Sequence, residues 1–169
     1  IVVDGYSGQE GPYTLNASWV TPCVGGSDAA NPTIVATIPF TETSTTVGTC
    51  DDIHLACGLN GAAPDRWDRG SIDTTVLIDV STQCTPGGLD TRIAVLSSGL
   101  TTLFCNDDDP ACAHKQSRIA SGFLFPGDYF VVVEGTGSTE GPYTIHIDTT
   151  VVDPSAVPAL LPDIVVRQD

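Results

Sequence analysis

The sequence predicts an all-β protein: an antiparallel β-sandwich of jelly-roll type with about eight strands and an additional N-terminal β-hairpin. Three observations carry this. Apolar residues alternate or gather in short β-branched runs, and almost none fall at helical spacing. Gly (17) and Pro (12), with Asn, Asp and Ser, interrupt those runs often enough to close many short strands. One hairpin-like stretch occurs twice.

In chain order, the first element is the hairpin expected over residues 1–20, which contains one of the two copies. The next strand is read at Thr33-Ile34-Val35-Ala36-Thr37-Ile38, and another at Thr75-Val76-Leu77-Ile78-Asp79-Val80. Thr91-Arg92-Ile93-Ala94-Val95-Leu96, Tyr129-Phe130-Val131-Val132-Val133-Glu134 and Tyr143-Thr144-Ile145-His146-Ile147 follow, all rich in residues that suit a pleated, half-buried surface. Ser97-Ser98-Gly99 and Pro126-Gly127-Asp128 supply turn chemistry between such runs. Short strands with Gly/Pro turns argue for a sandwich over residues 21–150. Residues 151–169 carry Pro154, Pro158 and Pro162 and read as a semi-extended linker, ending in a possible extra strand at Ile164-Val165-Val166.

The repeat is gapless. Val2-Val3-Asp4-Gly5 answers Val132-Val133-Glu134-Gly135, and Glu10-Gly11-Pro12-Tyr13-Thr14-Leu15 answers Glu140-Gly141-Pro142-Tyr143-Thr144-Ile145, at an offset of 130 residues. This points to a tandem array and to a chain that starts inside the last hairpin of a preceding unit. The start at Ile1 and the lack of Met fit a processed or excised piece. A lone hairpin is marginal in water, so residues 1–20 need a sheet to join. Two readings stand: the hairpin extends its own domain, or it completes a neighbouring copy by strand complementation. The second makes Val2, Val3, Tyr6, Tyr13, Leu15, Ile164 and Val166 the self-association residues.

The chain has 169 residues, with 21 Asp+Glu against 6 Lys+Arg, a formal charge of −15. Nucleic acid is excluded as a partner, because the cations that neutralise phosphates are missing. Binding to an anionic membrane surface fails for the same reason, and no apolar run is long enough for membrane insertion. Six cysteines favour disulfides and an oxidising compartment, so an extracellular or cell-surface location. Equal spacing suggests Cys50–Cys57 and Cys105–Cys112, each closing a turn for about 2.5 kcal/mol on the chain-entropy model. That leaves Cys23 for Cys84, with Cys57–Cys84 as the main alternative.

From about Thr33 to Thr149 the order of motifs resembles the bacterial pre-peptidase C-terminal domain. The pieces are Ile38-Pro39-Phe40-Thr41, Gly61-Ala62-Ala63-Pro64-Asp65, Leu89-Asp90-Thr91-Arg92-Ile93 and Leu103-Phe104-Cys105-Asn106-Asp107-Asp108. Ser117-Arg118-Ile119, Pro126-Gly127-Asp128-Tyr129 and Gly141-Pro142-Tyr143-Thr144-Ile145 complete the series. The resemblance implies a β-sandwich, bacterial-type secretion and a non-catalytic accessory module. It departs at Arg66-Trp67-Asp68-Arg69-Gly70, where an aromatic strand is usual, so an irregular segment is expected there.

Asn106, Asp107, Asp108 and Asp109 place four oxygen-bearing side chains in one turn, a set suited to calcium, and Asp90 can approach it. Capping of turn backbone is the competing role. No base–nucleophile motif accompanies His54, His114 or His146, so no catalytic residue is expected. Trp67, Tyr129, Tyr143 and Tyr13 are expected to pack in the core or on the sandwich edge rather than to stack on glycans. Arg92 and Arg118 are expected to partner the Asp-rich turns. The leading expectation for function is an extracellular structural or adhesive repeat whose partners are neighbouring copies of itself. The alternative is an accessory module attaching a secreted hydrolase to extracellular protein or glycan.

Overall fold

The structure, a computed structural model, describes residues 6–8, 10–16, 23–58, 62–113 and 115–153. Nine strands occur in these residues: β1 (Thr33–Ile34), β2 (Phe40–Thr45), β3 (Asp65–Ile72), β4 (Val76–Thr82), β5 (Thr91–Ser97), β6 (Thr102–Asn106), β7 (Arg118–Leu124), β8 (Gly127–Gly135) and β9 (Pro142–Val151). One sheet has the order β1-β3-β8-β5-β6 and the other β2-β9-β4-β7. Every pairing is antiparallel except β1 with β3. From β2 onward successive strands exchange sheets except β5 and β6, which pair with each other, and the resulting order is that of a jelly roll, as the sequence predicts. Among the described residues no helix is long and apolar enough to cross a membrane.

Alternating positions of both sheets meet in one core, including Ile72, Ile78, Val80, Ile93, Val95, Val131, Val133, Ile145 and Ile147. A second cluster lies on the far face of the five-stranded sheet. There Trp67, Ala94, Leu96, Phe130 and Val132 are covered by Leu55, with Ile53 and Cys57 packed alongside. Trp67 meets Phe130 edge to face at 5.7 Å between ring centroids. This second cover explains why residues 93–96 are continuously apolar, for β5 is buried on both faces.

Three expectations need correction. The strand read over 33–38 shrinks to Thr33–Ile34, because residues 35–39 carry the chain from one sheet to the other and Pro39 has no N–H for a ladder. The segment 66–70, expected to be irregular, lies within regular β3, paired from end to end with β8. Its charges fit because Trp67 faces the covered outer side while Arg66 reaches the Gly25 carbonyl and the Thr33 hydroxyl. The disulfides are Cys23–Cys50, Cys57–Cys105 and Cys84–Cys112, so none of the expected pairings occurs. Sheet neighbours decide the partners. Antiparallel pairing of β4 with β7 brings the residues after β4 beside those before β7, joining Cys84 to the loop that carries Cys112. Cys105 stands opposite Ala94 and so faces the covering segment that carries Cys57.

The hairpin expected over residues 1–20 falls in large part outside the described residues, and its later counterpart at 132–145 is not a hairpin, because β8 and β9 lie in different sheets. Its described part forms a single 3-10 turn at Tyr6–Gly8 and no strand over 10–16. Residues 154–169, the expected linker and extra strand, also lie outside them.

Candidate functional site

Asp90 closes the approach to β5, and Asp107 and Asp108 follow β6. Because β5 and β6 are neighbours, these carboxylates converge, each with one oxygen within 4.8 Å of the others. Thr136, just past β8, joins them: its hydroxyl lies 3.0 Å from Asp90 Oδ1 and 3.2 Å from Asp107 Oδ1. Its backbone N–H donates to the Asp90 carbonyl at 2.9 Å. The Ser117 hydroxyl donates to the Asp107 carbonyl and so fixes the turn from below. Gly58, at φ 83°, lies against the Asp107 carboxylate, where a Cβ would collide with it. Lys115 Nζ, 3.5 Å from Asp90, offsets part of the negative charge.

Burial pushes the Asp107 carboxyl above its ordinary pKa, and repulsion from Asp108 and Asp90 adds to this while the Thr136 bond opposes it. Three carboxylates and a hydroxyl form the hard-oxygen set that calcium takes, and a divalent cation would relieve their repulsion. The other two predicted ligands serve the backbone. Asn106 Oδ1 accepts from Arg118 N at 2.9 Å, and Asp109 Oδ1 accepts from Ala111 N at 2.9 Å. Only Asp90, Asp107 and Asp108 of the five are brought together.

A row of buried charge that sequence reading missed crosses three adjacent strands. Arg92 on β5, Glu134 on β8 and Asp65 on β3 stand side by side, all fully buried beneath the covering segment. Arg92 Nη2 donates to Glu134 Oε1 at 2.7 Å and to the Gly135 carbonyl at 3.2 Å. Glu134 Oε2 accepts from Leu55 N, while Asp65 Oδ2 accepts from Asp52 N and Ile53 N. The row thus ties down residues 52–55. Burial raises both carboxyls to about 7, against the pull of Arg92 on Glu134 and of the backbone N–H groups on Asp65. The signal was present: an Arg inside an apolar strand, in Thr91-Arg92-Ile93, marks a charge that must be paired inside.

Arg92 therefore pairs with Glu134, and its charge also pulls down the pKa of Asp107 in the Asp-rich turn. Arg118 bonds Asp79 of β4 at 2.6 Å, while its backbone N–H meets Asn106 and Asp109 acts on its guanidinium from the Asp-rich turn. His146 meets the Thr41 hydroxyl at 3.0 Å, and His54 lies 3.5 Å from Asp51. Trp67 and Tyr143 are buried and Tyr129 is half-buried, as edge and core residues should be. Tyr13 is the exception at 67 % exposed, with Leu15 at 52 %. Val2, Val3, Ile164 and Val166 lie outside the described residues, as does His114.

No family model and no curated protein matches the chain. The fold is a jelly-roll β-sandwich with converging acidic loops, and a solved structure shares that architecture. The chain is similar to the pre-peptidase C-terminal domain of a collagenase from Bacillus anthracis, with a TM-score of 0.50 and 10 % identity, over 76 % of this chain and 99 % of that one. The likeness read from the motifs holds at the level of the fold.

Proposed function

We propose that this chain is a non-catalytic, extracellular structural repeat module, joined to neighbouring copies through residues 2–15. One observation carries the reading. The sequence at 132–145 forms the end of β8 and the start of β9, inside both sheets, whereas its copy at 10–16 has no strand partner and leaves Tyr13 and Leu15 exposed. Such a segment supplies the last two strands of an adjoining copy, one to each sheet, and that copy has the neighbours they need. Three disulfides suit an oxidising, extracellular setting, and the charge of −15 keeps copies from associating by other faces. Sedimentation of the full chain against one lacking residues 1–20 tests this. Concentration-dependent association is expected for the first alone, and assembly that survives the deletion sinks the reading.

A second reading is supported by the fold shared with a collagenase domain: an accessory module that attaches a secreted enzyme to extracellular protein or polysaccharide. A full chain that stays monomeric and is retained on immobilised collagen favours it. In either setting, Asp90, Asp107 and Asp108, with the Thr136 hydroxyl, are the residues to hold calcium. Saturating calcium is expected to raise the melting temperature over that in chelator, by up to about 3 kcal/mol of stabilisation at a hundredfold excess over Kd. Asp108→Asn should abolish the rise, and equal melting with calcium and with chelator counts against the site.

A further inference from the structure

One stretch of the sandwich interior is polar. Along β2, Phe40, Glu42 and Ser44 alternate toward the core, and along β9 Tyr143 does the same. On β3 the residues flanking Trp67 point the opposite way from it, so Arg66 and Asp68 face the four-stranded sheet. Asp68 is fully buried, and neither of its carboxylate oxygens has a hydrogen-bond partner. Glu42 Oε2 and the Tyr143 hydroxyl are buried without one as well. These four oxygens share one neighbourhood: the Glu42 and Arg66 charges act on Asp68, and all three act on the Tyr143 hydroxyl. Thr33 lies close to Asp68 and Ser44 to Tyr143, but outside bonding geometry.

Arg66 does not satisfy them. Its Nη1 donates to the Gly25 carbonyl at 2.8 Å and its Nη2 to the Thr33 hydroxyl at 2.7 Å, with Glu42 Oε1 3.5 Å away. Its Nε, packed against Gly26, reaches no acceptor. The sheet neighbours of Asp68, Thr33 on β1 and Val131 on β8, bring no charge. Two carboxylates therefore face one guanidinium, and one negative charge is left unmatched in the interior. A buried carboxylate of this kind is costly unless a cation or a proton joins it.

We propose that Glu42, Asp68 and Tyr143 form an internal site for a monovalent cation of the size of sodium, held between β2, β3 and β9. The donors are all oxygens, which suit hard cations rather than the softer metals that nitrogen and sulfur attract. Charge chooses among the hard ones. One positive unit neutralises the group, whereas a divalent ion leaves excess positive charge beside Arg66. The site shares no residue with Asp90, Asp107 and Asp108, which gather three carboxylates on the loops.

Thermal melting of the full chain at about pH 8, with a sodium-free chelator throughout, compares sodium chloride with choline chloride at equal ionic strength. Burial raises the Asp68 carboxyl only to about 7, so it is ionised there, and choline is too large to join it. The melting temperature is expected to climb in sodium by about 3–6 °C more than in choline for each tenfold rise above the dissociation constant. Asp68→Asn removes the unmatched charge, so it should melt higher than the unaltered chain in choline and lose the response to sodium. Tyr143→Phe removes one donor and keeps the ring, so its response should shift to higher sodium concentration. Equal melting of the unaltered chain in the two salts overturns the site, since a proton or water then suffices inside. A sodium response that persists in Asp68→Asn overturns it too, by placing the ion elsewhere. If Asp68→Asn fails to fold, an unshifted response in Tyr143→Phe has the same force.

Discussion

Residues 132–145 and residues 2–15 share Val-Val-acid-Gly and Glu-Gly-Pro-Tyr-Thr in register, yet they sit in opposite surroundings. The later stretch runs from β8 into β9, with β3 and β5 flanking the one and β2 and β4 flanking the other. The described part of the earlier stretch has no flanking strand, and its Tyr13 and Leu15 face solvent. Local sequence is the same, so strand propensity cannot be what separates them. The four neighbours do, by covering both edges and burying Tyr143 and Ile145 where Tyr13 and Leu15 stay bare.

The sharpest way to break the comparison is Glu134→Ala. It removes the carboxylate that faces Arg92 in a fully buried row and is expected to cost about 3–5 kcal/mol in urea unfolding. A loss below about 1 kcal/mol would show that the row is not what fixes β8 between β3 and β5. Next comes a matched pair: Ile145→Ala should cost about 2–5 kcal/mol as a core truncation, and Leu15→Ala less than about 0.5 kcal/mol. Equal losses would mean that the first copy is packed within its own chain.

A separate handle is pH. Asp65, Asp68 and Glu134 have carboxyls raised by burial to about 7, from 3.8, 3.8 and 4.5. Between those limits the folded chain holds protons that the unfolded chain has released, so stability falls as pH rises from about 4 to about 7 and levels off above. The urea midpoint is expected to be lower at about pH 8 than at about pH 5, and deletion of residues 1–20 should leave that slope unaltered. A slope of opposite sign would place the burden on exposed carboxylates such as Asp128, whose pKa its bonds to Ser71 and Arg69 lower.

Much of the sandwich was legible because β4, β5, β8 and β9 carry alternating or doubly buried apolar runs that leave no other period. β3 was not, since its buried positions include Asp65 and Asp68, carboxyls that no strand pattern signals, and Asp65 is met only by backbone N–H groups of Asp52 and Ile53 from a distant segment. Disulfide partners were illegible for a related reason. Spacing reports chain distance, whereas Cys57–Cys105 and Cys84–Cys112 close across sheet neighbours that only the topology defines. At the acidic site the sequence named the right loop but could not divide Asp107 and Asp108, which face inward to Asp90, from Asn106 and Asp109, which cap backbone.

All six cysteines lie between Cys23 and Cys112, and β8 and β9 contain none. A chain threaded out of a cell N-terminus first therefore delivers every covalent fastener before the two strands on which both sheets close. The fasteners can be oxidised while the sandwich still gapes, with β3, β5, β2 and β4 waiting for their central partners. The final two strands, one in each sheet, are then a latch that arrives late and is held by hydrogen bonds and packing alone.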